Sequence, residues 1–137
     1  MNAPFPLDPR LSADTVPLAD LALCRVLLMN DSRFPWLILV PARPDMCEIT
    51  DLSPPDRAVL SNEISRASDM LRDLFSPTKI NIGALGNIVR QLHVHVVARS
   101  DGDAAWPGPV WGAGVAEPYD AASLATVRQR MAAALAG

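Results

Sequence analysis

The sequence predicts one compact unit of mixed structure, in which several β-strands pack with one long helix and a closing helix. Three observations predict it. Polar and apolar residues alternate with period two over residues 79–83 and 91–99, which is the pattern of a half-buried strand. Leu60, Ile64, Ala67, Leu71 and Leu74 recur at spacings of three and four, the stripe of an amphipathic helix. The chain has 137 residues, half of them hydrophobic, enough for a sizeable core, and it contains no internal repeat and no linker long enough to separate two domains.

Taken in order, residues 1–17 carry prolines at positions 4, 6, 9 and 17, and proline removes backbone donors, so an irregular, extended N-terminal arm is expected. Leu21 to Met29 is an apolar run that fits a short helix or a buried strand by period alone. The neighbouring residues favour a strand: Asn30 to Pro35 is a cluster of turn formers, and Trp36 to Val40 is a strand-forming run stopped by Pro41. The two read together as a hairpin, with Asn30 and Asp31 at its tip, where short side chains cap the turn or meet ligand hydroxyls. Ser53-Pro54-Pro55-Asp56 supplies an N-cap serine, a proline at the first helical position and an acid at the third, so the long helix starts there. Pro77 ends it, and Arg57, Glu63, Arg66, Asp69 and Asp73 fall mainly outside its apolar stripe.

Lys79 to Gly83 alternates as a further strand, and a turn comes next at Gly83-Ala84-Leu85-Gly86-Asn87. Its two glycines allow backbone N–H groups to approach a phosphate, and a plain hairpin turn explains them equally well. Residues 100–114 hold Trp106-Pro107-Gly108-Pro109-Val110-Trp111-Gly112, too rich in Pro and Gly for regular structure; the tryptophans cover a pocket, join a subunit interface or pin the loop. Leu124, Val127, Met131 and Leu135 recur at helical spacing after Asp120, which predicts a C-terminal helix over about 120–136.

Both histidines of the chain lie in Gln91-Leu92-His93-Val94-His95-Val96-Val97-Ala98-Arg99. On a strand, Gln91, His93 and His95 share one face and Leu92, Val94 and Val96 the other. A solvated outer face is the bland reading of such residues. The concentration of the chain's whole imidazole content beside one Gln favours chemistry. A neutral imidazole is a competent nucleophile near pH 7, and a second one on the same face supplies a proton donor or a hydrogen bond to a phosphate. Attack through one ring nitrogen requires the proton on the other, and a nearby carbonyl such as the main chain at Gln91 can fix that tautomer. A His-x-His pair also suits zinc, but no carboxylate or cysteine partner is identifiable, so no metal and no cofactor is expected.

The net charge of −3 and pI near 5.2 give no broad basic footprint, which disfavours a nucleic-acid polymer or an anionic membrane as partner, so neither is expected, and leaves room for a small anionic ligand. Cys24 and Cys47 form no C-x-x-C and have no histidine nearby, so they read as reduced thiols. The N-terminus lacks a signal-like apolar segment, and no apolar run approaches the ~18 residues a spanning helix needs, so a cytoplasmic location is expected.

Residues 91–97 resemble the signature of the histidine-triad (HIT) superfamily, His-x-His-x-His-x-x with x apolar, in a bacterial subgroup carrying Gln at the first triad position. The resemblance spans roughly residues 18–112 and takes in Asn30-Asp31, Val40-Pro41, Asn81, Gly86-Asn87 and Trp106-Pro107. It implies an α+β fold with a mostly antiparallel five-stranded sheet, one main helix and a short C-terminal helix, and a homodimer. It also implies binding of a purine nucleotide or nucleotide conjugate with chemistry at the α-phosphate. By position, His93 matches the nucleophile that forms a covalent nucleotidyl-histidine, and His95 the histidine that assists the phosphoryl oxygens or the leaving group. Asn30 or Asp31 matches the ribose-binding residue, and Asn81, Gly86 and Asn87 surround the phosphates.

Three residues depart from the family pattern. Gln91 cannot act as acid or base, which limits it to hydrogen bonding. Trp36 stands near where many members carry another histidine, and Ile88 near where many carry a Ser or Thr that assists the leaving group. Two readings therefore compete, a nucleotide hydrolase or nucleotidyl transferase and a nucleotide-binding module with weak or no catalysis.

Overall fold

The computed structural model describes residues 5–137. Helix α1 (Pro9–Asp14) leads into strand β1 (Thr15–Asp20), and β2 (Cys24–Met29) and β3 (Trp36–Pro41) come next. A short 3-10 turn (Ile49–Asp51) precedes the long helix α2 (Pro54–Phe75), then come β4 (Lys79–Gly83), β5 (Val94–Arg99) and the closing helix α3 (Ala121–Ala136). The five strands form one sheet in the order β1-β2-β3-β5-β4, every neighbouring pair antiparallel. The crossover through α2 and β4 thus inserts β5 between β3, the central strand, and the edge strand β4.

Alternation along the strands gives the sheet two different faces. Val26, Leu28, Leu37, Leu39, Val94, Val96 and Ala98 point to one side, where Leu60, Ala67, Met70 and Leu71 of α2 and Met131 and Leu135 of α3 close over them. Leu27, Trp36, Ile38, Val40 and Val97 point to the other side and meet Phe5, Leu11, Phe34 and Val110. The helical face is a core. The opposite face is covered only by the N-terminal segment and loops, and a cavity opens there.

The helix signals act as the sequence predicts. Ser53 Oγ accepts the Asp56 N–H at 3.2 Å, Pro54 opens α2, and Ser76, in the left-handed conformation, closes it one residue before Pro77. Asp120 caps α3 by accepting the Ser123 N–H at 2.8 Å.

Two expectations are corrected. The arm over residues 1–17 is not irregular throughout: residues 9–14 form α1, capped by Asp8, and β1 begins at Thr15. An edge strand tolerates Pro17 because its N–H side needs no partner, and the ladder register shifts between Pro17 and Ala19. Pro4 lies outside the described residues. Glu63 is not on a solvated face of α2 but fully buried, its Oε2 and Oε1 accepting the Leu23 and Cys24 N–H groups at 3.0 and 2.8 Å. The turn from β1 into β2 runs under α2, and its buried donors require an acceptor that the helix supplies.

Glu63→Ala strands both amides and is expected to cost about 2–4 kcal/mol of unfolding free energy, with Glu63→Gln, which keeps one acceptor, losing less. Urea unfolding of the three proteins at one pH checks this; equal midpoints would remove the carboxylate's structural role.

Candidate functional site

The cavity on the loop-covered face has a volume of about 730 Å³, within the usual span of small-molecule sites. Trp36, Ile38, His93 and His95 form its floor, α1 one wall through Arg10, Leu11 and Asp14, and residues 85–89 a second. The turn after β2 and the stretch 110–118 complete it.

His95 belongs to β5, whereas His93 lies in the extended lead-in, one residue before the strand begins. Both are nearly buried, and their ring centroids are 5.0 Å apart. The Nδ1 of His93 lies 2.6 Å from the main-chain oxygen of Gln91. A carbonyl only accepts, so Nδ1 carries the hydrogen and Nε2 keeps its lone pair. His95 is held in the opposite sense, because the indole N–H of Trp36 donates to its Nδ1 at 3.0 Å. The hydrogen of neutral His95 therefore sits on Nε2. Burial, and after it the positive field of His93, pushes the His95 pKa down to about 4. The cavity floor thus offers one imidazole with a free lone pair beside one that donates an N–H.

Trp111 packs edge-on against His95, with centroids 5.5 Å apart. Its ring fills the space beside Gly83, where an added Cβ would lie 2.9 Å from Cη2, so this end of β4 must be glycine. The Trp111 Nε1 is buried and has no hydrogen-bond partner among the described residues.

The remaining residues singled out by sequence divide sharply. The side chain of Gln91 is turned to the N-terminal segment, donating to Pro6 O at 2.9 Å and accepting the Asp8 N–H at 2.8 Å, so only its main chain serves the histidines. Asp31 is buried, and its oxygens are taken by Nε and a terminal nitrogen of Arg33 at 3.0 and 2.8 Å and by the Glu117 N–H at 3.3 Å. Burial alone would raise its pKa, but these donors outweigh it and hold it below the ordinary carboxylate value. Asn30 lines the cavity with Oδ1 on the Tyr119 N–H, and its amide N–H groups have no partner among the described residues. Gly86, with φ of 70°, and Asn87 line the cavity.

Asn81 is outside the cavity: its Oδ1 accepts from Arg99, a fully buried cation whose other nitrogens pair with Asp103. That burial demands acceptors, and Asn81 is one of them. Sequence reasoning missed the α1 wall, which a proline-rich composition concealed. It also missed Arg33, whose guanidinium reaches Ala113 O at 2.7 Å and ties residues 113–119 over the cavity, a long-range contact that leaves no local pattern. Among the described residues no group of three or more His, Cys, Asp or Glu is arranged to hold a metal ion.

An antiparallel α+β sheet with two imidazoles of opposite hydrogen-bonding sense at the centre of its open face is a histidine-triad architecture. The chain belongs to the HIT family: the family model for the HIT domain matches residues 10–102. Among solved structures it is similar to a histidine triad protein of Sinorhizobium meliloti, at 53% identity over 93% of this chain and 94% of that one, with a TM-score of 0.91. A histidine triad protein of Bradyrhizobium japonicum is 45% identical over 96% of this chain and 98% of its own, with a TM-score of 0.93. One from Marinobacter aquaeolei is 44% identical over 96% of each, with a TM-score of 0.94. No curated protein matches the chain. The HIT family comprises nucleotide-binding proteins with hydrolase and transferase members.

Because the folded His95 releases its proton near pH 4 and an unfolded histidine near 6.5, the folded state binds fewer protons between those values. Stability contributed by neutral His95 is complete above pH 6.5 and lost as pH falls toward 4. Denaturation midpoints should decline through that window in the wild type and more weakly in His95→Asn; identical slopes would refute the assignment.

Proposed function

We propose that the protein is a nucleotide hydrolase or nucleotidyl transferase acting at the α-phosphate of a nucleotide conjugate, of dinucleoside polyphosphate or phosphoramidate type. The observation that carries this reading is the complementary pair of tautomers, a His93 Nε2 lone pair next to a His95 Nε2–H. In the proposed reaction, His93 Nε2 attacks the α-phosphorus, a P–N bond forms, and the bond to the leaving group breaks with its electron pair going to that group. His95 donates a hydrogen bond to a phosphoryl oxygen as charge builds there. Water then attacks the nucleotidyl-His93, releasing the nucleoside monophosphate and restoring the imidazole; an acceptor molecule in place of water gives transfer.

The rest of the cavity fits a purine nucleotide. Leu11, Met29 and Ile38 line it with apolar surface suited to a base, Asn30 brings an amide suited to a ribose hydroxyl, and Gly86 and Asn87 bring a turn suited to phosphates. Gln91 takes part through its carbonyl, and the hydrogen bonds of Asp31 assign it to holding the turn. A second reading, a binding module with little turnover, is favoured by one observation: Ile88 at the cavity mouth is 74% exposed and brings no hydroxyl to a leaving group.

We also infer a homodimer formed along the free edge of β4, where Ile82 is half exposed on a strand whose outer backbone groups have no sheet partner. The two free cysteines, with Cys47 exposed, suit the reducing cytoplasm.

Incubating the protein with diadenosine tetraphosphate should release AMP, and His93→Ala should lower the rate at least about a thousandfold, the scale for loss of a nucleophile, while its unfolding midpoint stays near that of wild type. A variant as fast as wild type would overturn the mechanism, and AMP binding without release by wild type would select the binding module. Light scattering should give twice the chain mass, falling to one chain in Ile82→Lys.

A further inference from the structure

The hydrogen bond from Trp36 to His95 has a consequence for which bonds the site can break. Its indole nitrogen has one hydrogen and no acceptor lone pair, so it can only donate. With that N–H 3.0 Å from His95 Nδ1, adding a second proton to the ring would set two donors against each other in a buried place. Trp36 is fixed in turn. It stands opposite Val97 in the β3–β5 ladder and packs edge-on against Phe34 at 6.2 Å, while Trp111 closes over His95 from the other side.

The other groups facing the reacting atoms do not replace a proton donor. The Gln91 amide is spent on Pro6 and Asp8, Ile88 is a hydrocarbon, and the Asp31–Arg33 pair is locked to itself. Arg10 and Asp14 on the α1 wall complete the charged residues lining the cavity, and both are exposed to water. His93 is engaged in the attack, its Nδ1–H directed to the Gln91 carbonyl.

We propose that Trp36 is a specificity-determining positioning residue: by holding His95 as a neutral N–H donor it restricts the enzyme to nucleotide conjugates whose leaving group departs as a stable anion. This inference rests on the nucleotidyl-His93 reading above. In such a conjugate, with a polyphosphate or a carboxylate attached to the α-phosphorus, the P–O bond breaks and its electron pair remains on oxygen, so no proton is required. In a phosphoramidate of an alkylamine, the P–N bond breaks only as the nitrogen gains a proton, since the amide anion is far too basic to leave. A neutral imidazole hydrogen-bonds to the phosphoryl oxygens in both cases and protonates the nitrogen in neither. Burial of His95 and the field of His93 act in the same direction as the indole.

The test compares kcat/KM for diadenosine tetraphosphate and for an adenosine 5′-phosphoramidate of an alkylamine, in wild type and Trp36→Phe, each across pH 5 to 8. Wild type should favour the polyphosphate by about a hundredfold or more, the lower range of what a positioned general acid contributes. Trp36→Phe frees Nδ1 to accept a proton, and the preference should narrow at least tenfold, with the amine substrate gaining most at low pH. A general loosening of the site would lower both substrates together and leave the ratio unchanged.

Equal use of the two substrates by wild type, or an unchanged ratio in the variant, overturns the inference while leaving the enzyme reading intact. Release from neither substrate overturns the enzyme reading and the specificity with it. The nitrogen-15 shifts of His95 in wild type bound to AMP at pH 6 supply a measurement that does not depend on the variant folding. An unprotonated Nδ1 is expected, and a doubly protonated ring would overturn the proposal.

Discussion

The strict alternation of side chains along β5, an interior strand between β3 and β4, governs both the core and the site. Val94, Val96 and Ala98 seal the core under the two long helices, while His95, Val97 and Arg99 face the loop-covered side. A slip of one residue would push an imidazole and a guanidinium into the helical core and turn three apolar residues toward the cavity. The pairings of Leu37 with Val96 and Ile38 with His95 hold that register from β3, and those of Ile82 with Val96 and Gly83 with His95 hold it from β4. The chemistry of the site is consequently set by the same periodicity that builds the core.

Burial of polar groups is the second organising demand. Glu63 under the β1–β2 turn, Arg99 between Asp103 and Asn81, and Asp31 against Arg33 each satisfy a charge or a pair of backbone donors that the fold has removed from water. Desolvated charge is so costly that these partners are committed to structure. Both carboxylate oxygens of Asp31 are taken in this way, and Asn81 gives its Oδ1 to Arg99. Asn30, next to Asp31, likewise gives only its oxygen, to the Tyr119 N–H, and its amide N–H groups have no partner among the described residues.

Gln91 and Trp36, two of the three residues read as departures from the family signature, both have partners. Gln91 offers an acceptor and a donor at once and so grips two backbone groups of the N-terminal segment just before α1, which stands as a wall of the cavity. Trp36 puts a pure donor where an imidazole would be free to exchange protons. Both substitutions remove a titratable group and leave a fixed hydrogen bond.

The linear chain already specifies the strands at 36–40, 79–83 and the core of 91–99, the long helix with its Ser53 cap, the closing helix, and the pairing of His93 with His95. Those features are written in periods of two and three to four and in capping residues, all of which act within a few positions of the chain. Long-range packing settled the rest: that residues 9–20 form a helix and an edge strand, that Glu63 turns inward, that Asn81 serves Arg99, and that Trp36 sets the tautomer of His95. The last three are contacts between residues distant in sequence, made because a buried donor, acceptor or charge must find a partner wherever the fold brings one, and such a demand leaves no trace in local periodicity.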